Sequence, residues 1–176
     1  VILEELERLG VRRLDYVVLT HPHADHVGSF PELAKSNLSI KNVMLPVLDT
    51  DNLGEDTALY RVVLGSIRTA GAKIVTATPG MRITQEGKTG SVKLDVLGPI
   101  GGKEAQTDNL NNRSVFLKVT YGDVSVLVTG DGEWQEEADV ITWLDSEEGK
   151  ASGVTGNATI LVAGHHGSRS SSSRRF

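Results

Sequence analysis

Apolar residues recur at Ile2, Leu3, Leu6 and Leu9, the spacing of one helix face, and Gly10 follows as a stop signal. Residues 14–20 are dense in apolar side chains around Tyr16-Val17-Val18-Leu19, the pattern of a buried strand. After Ser29, the run Phe30-Pro31-Glu32-Leu33-Ala34 puts Pro and Glu where a first helical turn takes them. Residues 41–45 predict a second strand, and the Asp-rich residues 49–56 a surface loop. Leu59, Val62, Val63 and Ile67 mark an amphipathic helix that ends near Gly71.

The second half reads as strand-rich. Residues 73–77, 81–84 and 91–97 are short candidates, separated by Pro79-Gly80 and by residues 87–90. Residues 98–112 lack periodicity and predict a long functional loop. Residues 113–120 and 123–129 alternate around Tyr121-Gly122, a hairpin signal. A helix follows with Trp134, Ala138 and Ile141 on one face, then a flexible connection over 149–156 and a last strand over 158–163. No repeat and no firm internal boundary is visible, so residues 1–176 are expected to form a single α/β domain.

Composition narrows the chemistry. Apolar residues make up 39% of the 176, enough for a sizeable core. With 23 acidic and 18 basic side chains the net charge is −5, so there is no general basic field for nucleic acid, and any phosphate binding must be local. Cysteine is absent, which excludes disulfides and thiolate metal sites and leaves nitrogen and oxygen as ligands. No apolar run approaches the roughly 20 residues of a membrane span and no signal peptide is evident, so the chain is expected to be soluble.

The five histidines all fall in His21-Pro22-His23-Ala24-Asp25-His26 and His165-His166. In an extended segment His21 and His23 point the same way and can share one cation, while Asp25 and His26, beyond a turn at Ala24, face elsewhere and suit a second. The strand before His21 has two counterparts, one running into Asp131 and one into His165, so three buried strands each end on a potential ligand. Blander readings exist for each piece. Asp131 can cap the helix that follows, His165-His166 and Asn111-Asn112 can be turn residues, and Ser170 to Ser173 can be a disordered low-complexity end.

His-x-His-x-Asp-His after one strand, Thr129-Gly130-Asp131 after another and Gly164-His165-His166-Gly167-Ser168 after a third resemble the metallo-β-lactamase superfamily. Asn111-Asn112-Arg113-Ser114-Val115 and the flanks of the other motifs narrow this to a resemblance to the soluble nuclease domain of the ComEC family of competence DNA-uptake channels. The resemblance implies an αββα sandwich, here apparently lacking its first strands and its C-terminal end. It places His21 and His23 on one divalent ion, Asp25, His26 and His165 on another, and Asp131 between the two. The third histidine usual on the first ion has no counterpart, so Asn112, another loop oxygen or water takes that place.

Two cations at such a site lower the pKa of a shared water and clamp a phosphodiester for in-line attack. Asp25 then orients the nucleophile, and His166 protonates the leaving 3′-oxygen or hydrogen-bonds the phosphate. Asn112, Arg113, Ser168, Arg169 and Ser170 are the candidate contacts to substrate and its phosphates. Manganese or zinc suits the donors. The resemblance thus implies a metal-dependent DNA nuclease acting on single-stranded DNA during uptake. It further implies attachment to a membrane channel domain, on the extracellular or periplasmic face of the cytoplasmic membrane. A lactam, lactone or thioester hydrolase of the same fold, and a catalytically weak DNA-binding module, are the alternatives.

Overall fold

The computed structural model describes residues 1–101 and 109–176, so the middle of the expected 98–112 loop lies outside the described residues. Two compact units divide the chain, Val1–Thr76 and Ala77–Phe176, at a place where the sequence gives no boundary. No helix among the described residues is long and apolar enough to cross a membrane.

The first unit alternates helix and strand. Helix α1 (Ile2–Arg8) leads to β1 (Arg13–Val18), the short α2 (Ala24–Val27) and α3 (Phe30–Lys35), β2 (Ser39–Leu45), α4 (Thr57–Thr69) and β3 (Lys73–Thr76). The three strands form one parallel sheet in the order β1-β2-β3, as strands linked through helices must. The spacing that predicted α4 is realised, with Tyr60, Val63 and Ile67 as its buried stripe. Val43 and Met44 of the central strand are fully buried.

The second unit holds a five-stranded sheet in the order β4 (Arg82–Gly87), β5 (Gly90–Gly98), β6 (Phe116–Tyr121), β7 (Val124–Val128) and β8 (Ile160–Leu161), the last pair parallel and the others antiparallel. The hairpin between β6 and β7 turns on two residues, and Gly122 takes φ +58° at the first of them, a conformation such loops ask of glycine. Leu97, Phe116, Leu127 and Val140 form the core, with Ile100, Leu144 and Phe176 packed against it. A polar ladder crosses the same sheet. Asp95 on β5 receives Arg82 Nε at 2.6 Å and lies 3.9 Å from the buried Lys118 Nζ, which also reaches the Thr155 hydroxyl at 2.9 Å.

Four expectations change. Helix α5 (Trp134–Asp145) does not bury Trp134, which is 56% exposed; it buries Glu136, Glu137 and Val140. Half of the expected flexible connection is helix α6 (Glu147–Ser152), capped by the Ser146 hydroxyl on Gly149 N–H and ended by Gly153 at φ +71°. The last strand is two residues long, and Ile160 and Leu161 are half exposed because β8 has one neighbour, β7, among the described strands. The serine-rich end is ordered, for Ser172 and Ser173 donate their N–H groups to the Glu137 carboxylate at 2.5 and 2.9 Å, and Ser171 Oγ donates to Gly132 O at 2.8 Å. Phe176 then closes edge-on against Phe116, with ring centroids 5.6 Å apart.

Burial pushes the Glu136 carboxyl up to about 8, against the single lowering hydrogen bond from Ile100 N–H and with Asp139 adding to the rise and Arg113 opposing it. A folded pKa above the unfolded value means that the native state holds the extra proton. Glu136 therefore adds stability below the unfolded carboxyl range and loses it as pH rises towards 8. Urea unfolding of the native chain and of Glu136→Gln at pH 5 and pH 8 checks this: the native chain should lose up to about 1.4 kcal/mol per pH unit more than the variant across that window.

Candidate metal centre

In the first unit the ligand motif begins at His21, three residues past the end of β1. His21 is fully buried, and its Nε2 lies 3.1 Å from His23 Nδ1, so the two rings do turn to a common point. Two nitrogens on one tetrahedral zinc sit about 3.3 Å apart, given bonds near 2.0–2.1 Å, so this pair fits a shared divalent ion. The next residues differ from expectation. The turn at Ala24 is a helical turn, and it carries His26 back towards His21, ring centroids 4.1 Å apart, rather than away from it. Asp25 Oδ2 lies 3.6 Å from His26 Nε2 and its side chain is largely exposed.

Two further side chains hold these rings. Thr20 Oγ1 contacts His21 Nδ1 at 3.1 Å and His26 Nδ1 at 3.5 Å, and Asp56 Oδ2 lies 3.8 Å from His23 Nε2. Neither residue stood out in the sequence: Thr20 is masked as an ordinary strand residue, and Asp56 is one of several acids in a loop.

In the second unit Asp131 follows β7 and is almost wholly buried. It does not cap α5, whose N-cap residue is Glu133. Instead its N–H donates to Ser114 Oγ at 3.0 Å, while His165 N–H donates to Gly130 O at 3.0 Å and so ties the end of β8 to that of β7. His165 and His166 both occupy the left-handed region, at φ 49° and 54°. That conformation is uncommon away from glycine and here aims two successive imidazoles at one carboxylate, with His166 Nε2 3.4 Å and His165 Nε2 3.9 Å from Asp131 Oδ2. His166 is thus as close to this carboxylate as His165, not set apart from it.

The remaining candidates are dispersed. Asn112 Oδ1 accepts the Glu133 N–H at 2.9 Å, which commits the oxygen expected on the first cation to the start of α5. Arg113, expected on a phosphate, is turned inward: it is buried, donates to Gly101 O at 3.2 Å and feels Glu136, and burial lowers its pKa. Ser168 and Ser170 exchange a hydroxyl hydrogen bond at 3.0 Å, and Arg169 between them is exposed. The residue missed altogether is Glu133, whose carboxylate meets Ser170 Oγ at 3.1 Å, His165 Nδ1 at 3.3 Å and Asn109 Nδ2 at 2.9 Å. In each unit the donors are imidazole nitrogen and carboxylate oxygen, a set that fits zinc or manganese.

The family model described as the Metallo-beta-lactamase superfamily matches residues 2–176. Among curated proteins, the chain is similar to "ComE operon protein 3" of Bacillus subtilis (strain 168), 27% identical over 182 residues, which covers 100% of this chain and 20% of that protein. It is also similar to "Competence protein ComA" of Neisseria gonorrhoeae, 29% identical over 175 residues, 99% of this chain and 20% of that protein. The chain thus spans about a fifth of the length of the curated relatives it matches. Among solved structures, CmlA, a diiron beta-hydroxylase from Streptomyces venezuelae, aligns at a TM-score of 0.44 and 15% identity over 85% of this chain and 25% of that one.

The loop that presents His165 and His166 is held through Glu137. Removing that carboxylate in Glu137→Ala leaves the Ser172 and Ser173 N–H groups without their acceptor, at a cost of about 1–3 kcal/mol for each group left buried. Limited trypsinolysis should then cut at Arg169 and Arg174 faster than in the native chain, whereas equal rates would show that the tail is held by other contacts.

Proposed function

The chain belongs to the metallo-beta-lactamase superfamily, and on that premise we propose that it is a metal-dependent phosphodiesterase that cuts single-stranded DNA. The observation that carries the reading is a pair of strand-end ligand groups, His21 to His26 and Asp131 with His165, built only from nitrogen and oxygen donors. Similarity along 99–100% of this chain to "ComE operon protein 3" and "Competence protein ComA" agrees with the ComEC-like motifs, and it is that resemblance which makes DNA the substrate class proposed.

In this reading His21 and His23 hold one divalent ion, Asp25, His26 and His165 hold a second, and Asp131 serves both. When bound, the ions supply Lewis acidity and a water acidic enough to ionise near neutral pH. The protein's own groups do the rest. Asp25, the most exposed of the acidic ligands, orients the attacking water through its carboxylate. His166 Nε2 hands a proton to the leaving 3′-oxygen, a role consistent with its exposure beside Asp131. Ser168 and Arg169 donate to phosphate oxygens, contacts that need donors rather than base readers. Arg113 and Ser170 are assigned structural duties instead, because Arg113 is buried and donates to Gly101 O, and the Ser170 hydroxyl donates to Glu133. Manganese is the preferred ion, zinc the alternative. The degraded strand is the one not transported during uptake, and a membrane channel domain in a longer chain would hold this unit on the extracellular or periplasmic face.

Incubation of the purified chain with end-labelled single-stranded DNA should give cleavage with Mn²⁺ or Zn²⁺ and none with EDTA. Asp25→Ala and His166→Ala should each lower kcat by about 10²-fold or more. His166→Ala should keep the metal stoichiometry measured by mass spectrometry. A folded, metal-loaded chain that cleaves nothing would sink the nuclease reading, and a chromogenic ester and β-lactam panel would then identify the hydrolase alternative.

A further inference from the structure

We propose that Glu133 is a positioning residue that fixes the tautomer of His165, so that Nε2 is the nitrogen offered towards Asp131. The proposal rests on the reading of His165 as a ligand. Its basis is a hydrogen-bond chain with a single consistent direction. The Ser170 hydroxyl has one hydrogen, and at 3.1 Å that hydrogen goes to Glu133 Oε1, an atom that can only accept while the group is a carboxylate, which leaves Ser168 as the donor in its 3.0 Å contact with Ser170 Oγ. Ser170 Oγ, 3.2 Å from His165 Nδ1, can then only accept from the ring. Glu133 Oε1, itself 3.3 Å from the same Nδ1, imposes the same direction. Both neighbours therefore require a hydrogen on Nδ1.

A neutral imidazole carries one N–H, so with Nδ1 protonated the lone pair lies on Nε2. That atom is 3.9 Å from Asp131 Oδ2, too far for a hydrogen bond, so its lone pair faces the carboxylate without a proton between them. Glu133 cannot swing freely away from this duty. Its second oxygen takes Asn109 Nδ2 at 2.9 Å, Asn111 Nδ2 adds a longer contact of 3.4 Å to Oε1, and its backbone N–H is held by Asn112. The Asn-rich segment 109–112 thereby supports the ligand through Glu133. Carboxylates that accept from the far nitrogen of a ligating histidine fix its orientation and raise its basicity.

The test reads His165 directly. Long-range ¹H–¹⁵N NMR on the metal-free chain should report hydrogen on Nδ1 of His165, and calorimetric titration with Zn²⁺ gives the affinity. Glu133→Ala should lose the tautomer preference and bind Zn²⁺ about 10–100-fold more weakly at one site. Glu133→Gln, whose amide oxygen still accepts from Nδ1–H, should recover most of that loss, which a purely bracing role would not require. Hydrogen on Nε2 in the native chain overturns the proposal even if the Ala variant does not fold. His165→Ala separates the two claims. Unchanged Zn²⁺ stoichiometry in that variant overturns the ligand reading, while lost stoichiometry there, with native tautomer and affinity in Glu133→Ala, overturns the role of Glu133 alone.

Discussion

A carboxylate taken out of water must find hydrogen-bond donors, and in the second unit three of them stand at the start of one helix. Glu133, Glu136 and Glu137 occupy the N-cap and first turn of α5, where the helix dipole already favours negative charge. Glu137 meets its need with the N–H groups of Ser172 and Ser173. Glu133 meets its own with Asn109, Ser170 and His165. Glu136 finds Ile100 N–H, which does not offset its burial, and its pKa rises in consequence. Segments far apart in the chain are thus drawn to one helix end, and the ligand turn is among them.

The first unit solves a different problem with a different device. A parallel sheet delivers His21 to the end of an edge strand, and one turn of helix returns His26 to it, so three imidazoles gather, with Asp56 beside His23 and Asp25 beside His26. The Thr20 hydroxyl, shared between two Nδ1 atoms, is the counterpart of Glu133 in the other unit. In both places the nitrogen turned away from the proposed cation has an oxygen partner. Such partners decide which lone pair a metal meets.

The two units also differ in what covers their strand ends. Leu19 and Val27 are buried around His21, whereas Ile160 and Leu161 before His165 are half exposed. His165 is nonetheless held, because its N–H, its Nδ1 and the loop beyond it are each bonded to α5 or to the end of β7. Hydrogen bonds there do the work that apolar cover does around His21.

Read alone, the sequence determined what depends on near neighbours: α1 and α4 from apolar spacing, α3 from Pro31 and Glu32 in its first turn, the β6–β7 hairpin from Tyr121-Gly122, and the gathering of all five histidines into two short motifs that follow strands. It also carried the family, because the motifs combine residue type with tight spacing. It misjudged α5, where Trp134 faces out and Glu136 and Glu137 face in, the serine-rich end, which is ordered, and Arg113, which is buried. It gave no sign of Glu133. Each of these is settled by partners between 12 and 39 residues away, such as Gly101 for Arg113 and Gly132 for Ser171. Spacing along a chain records which side chains share a face; only the folded structure decides which buried carboxylate meets which distant donor, because that match depends on where the backbone brings them together.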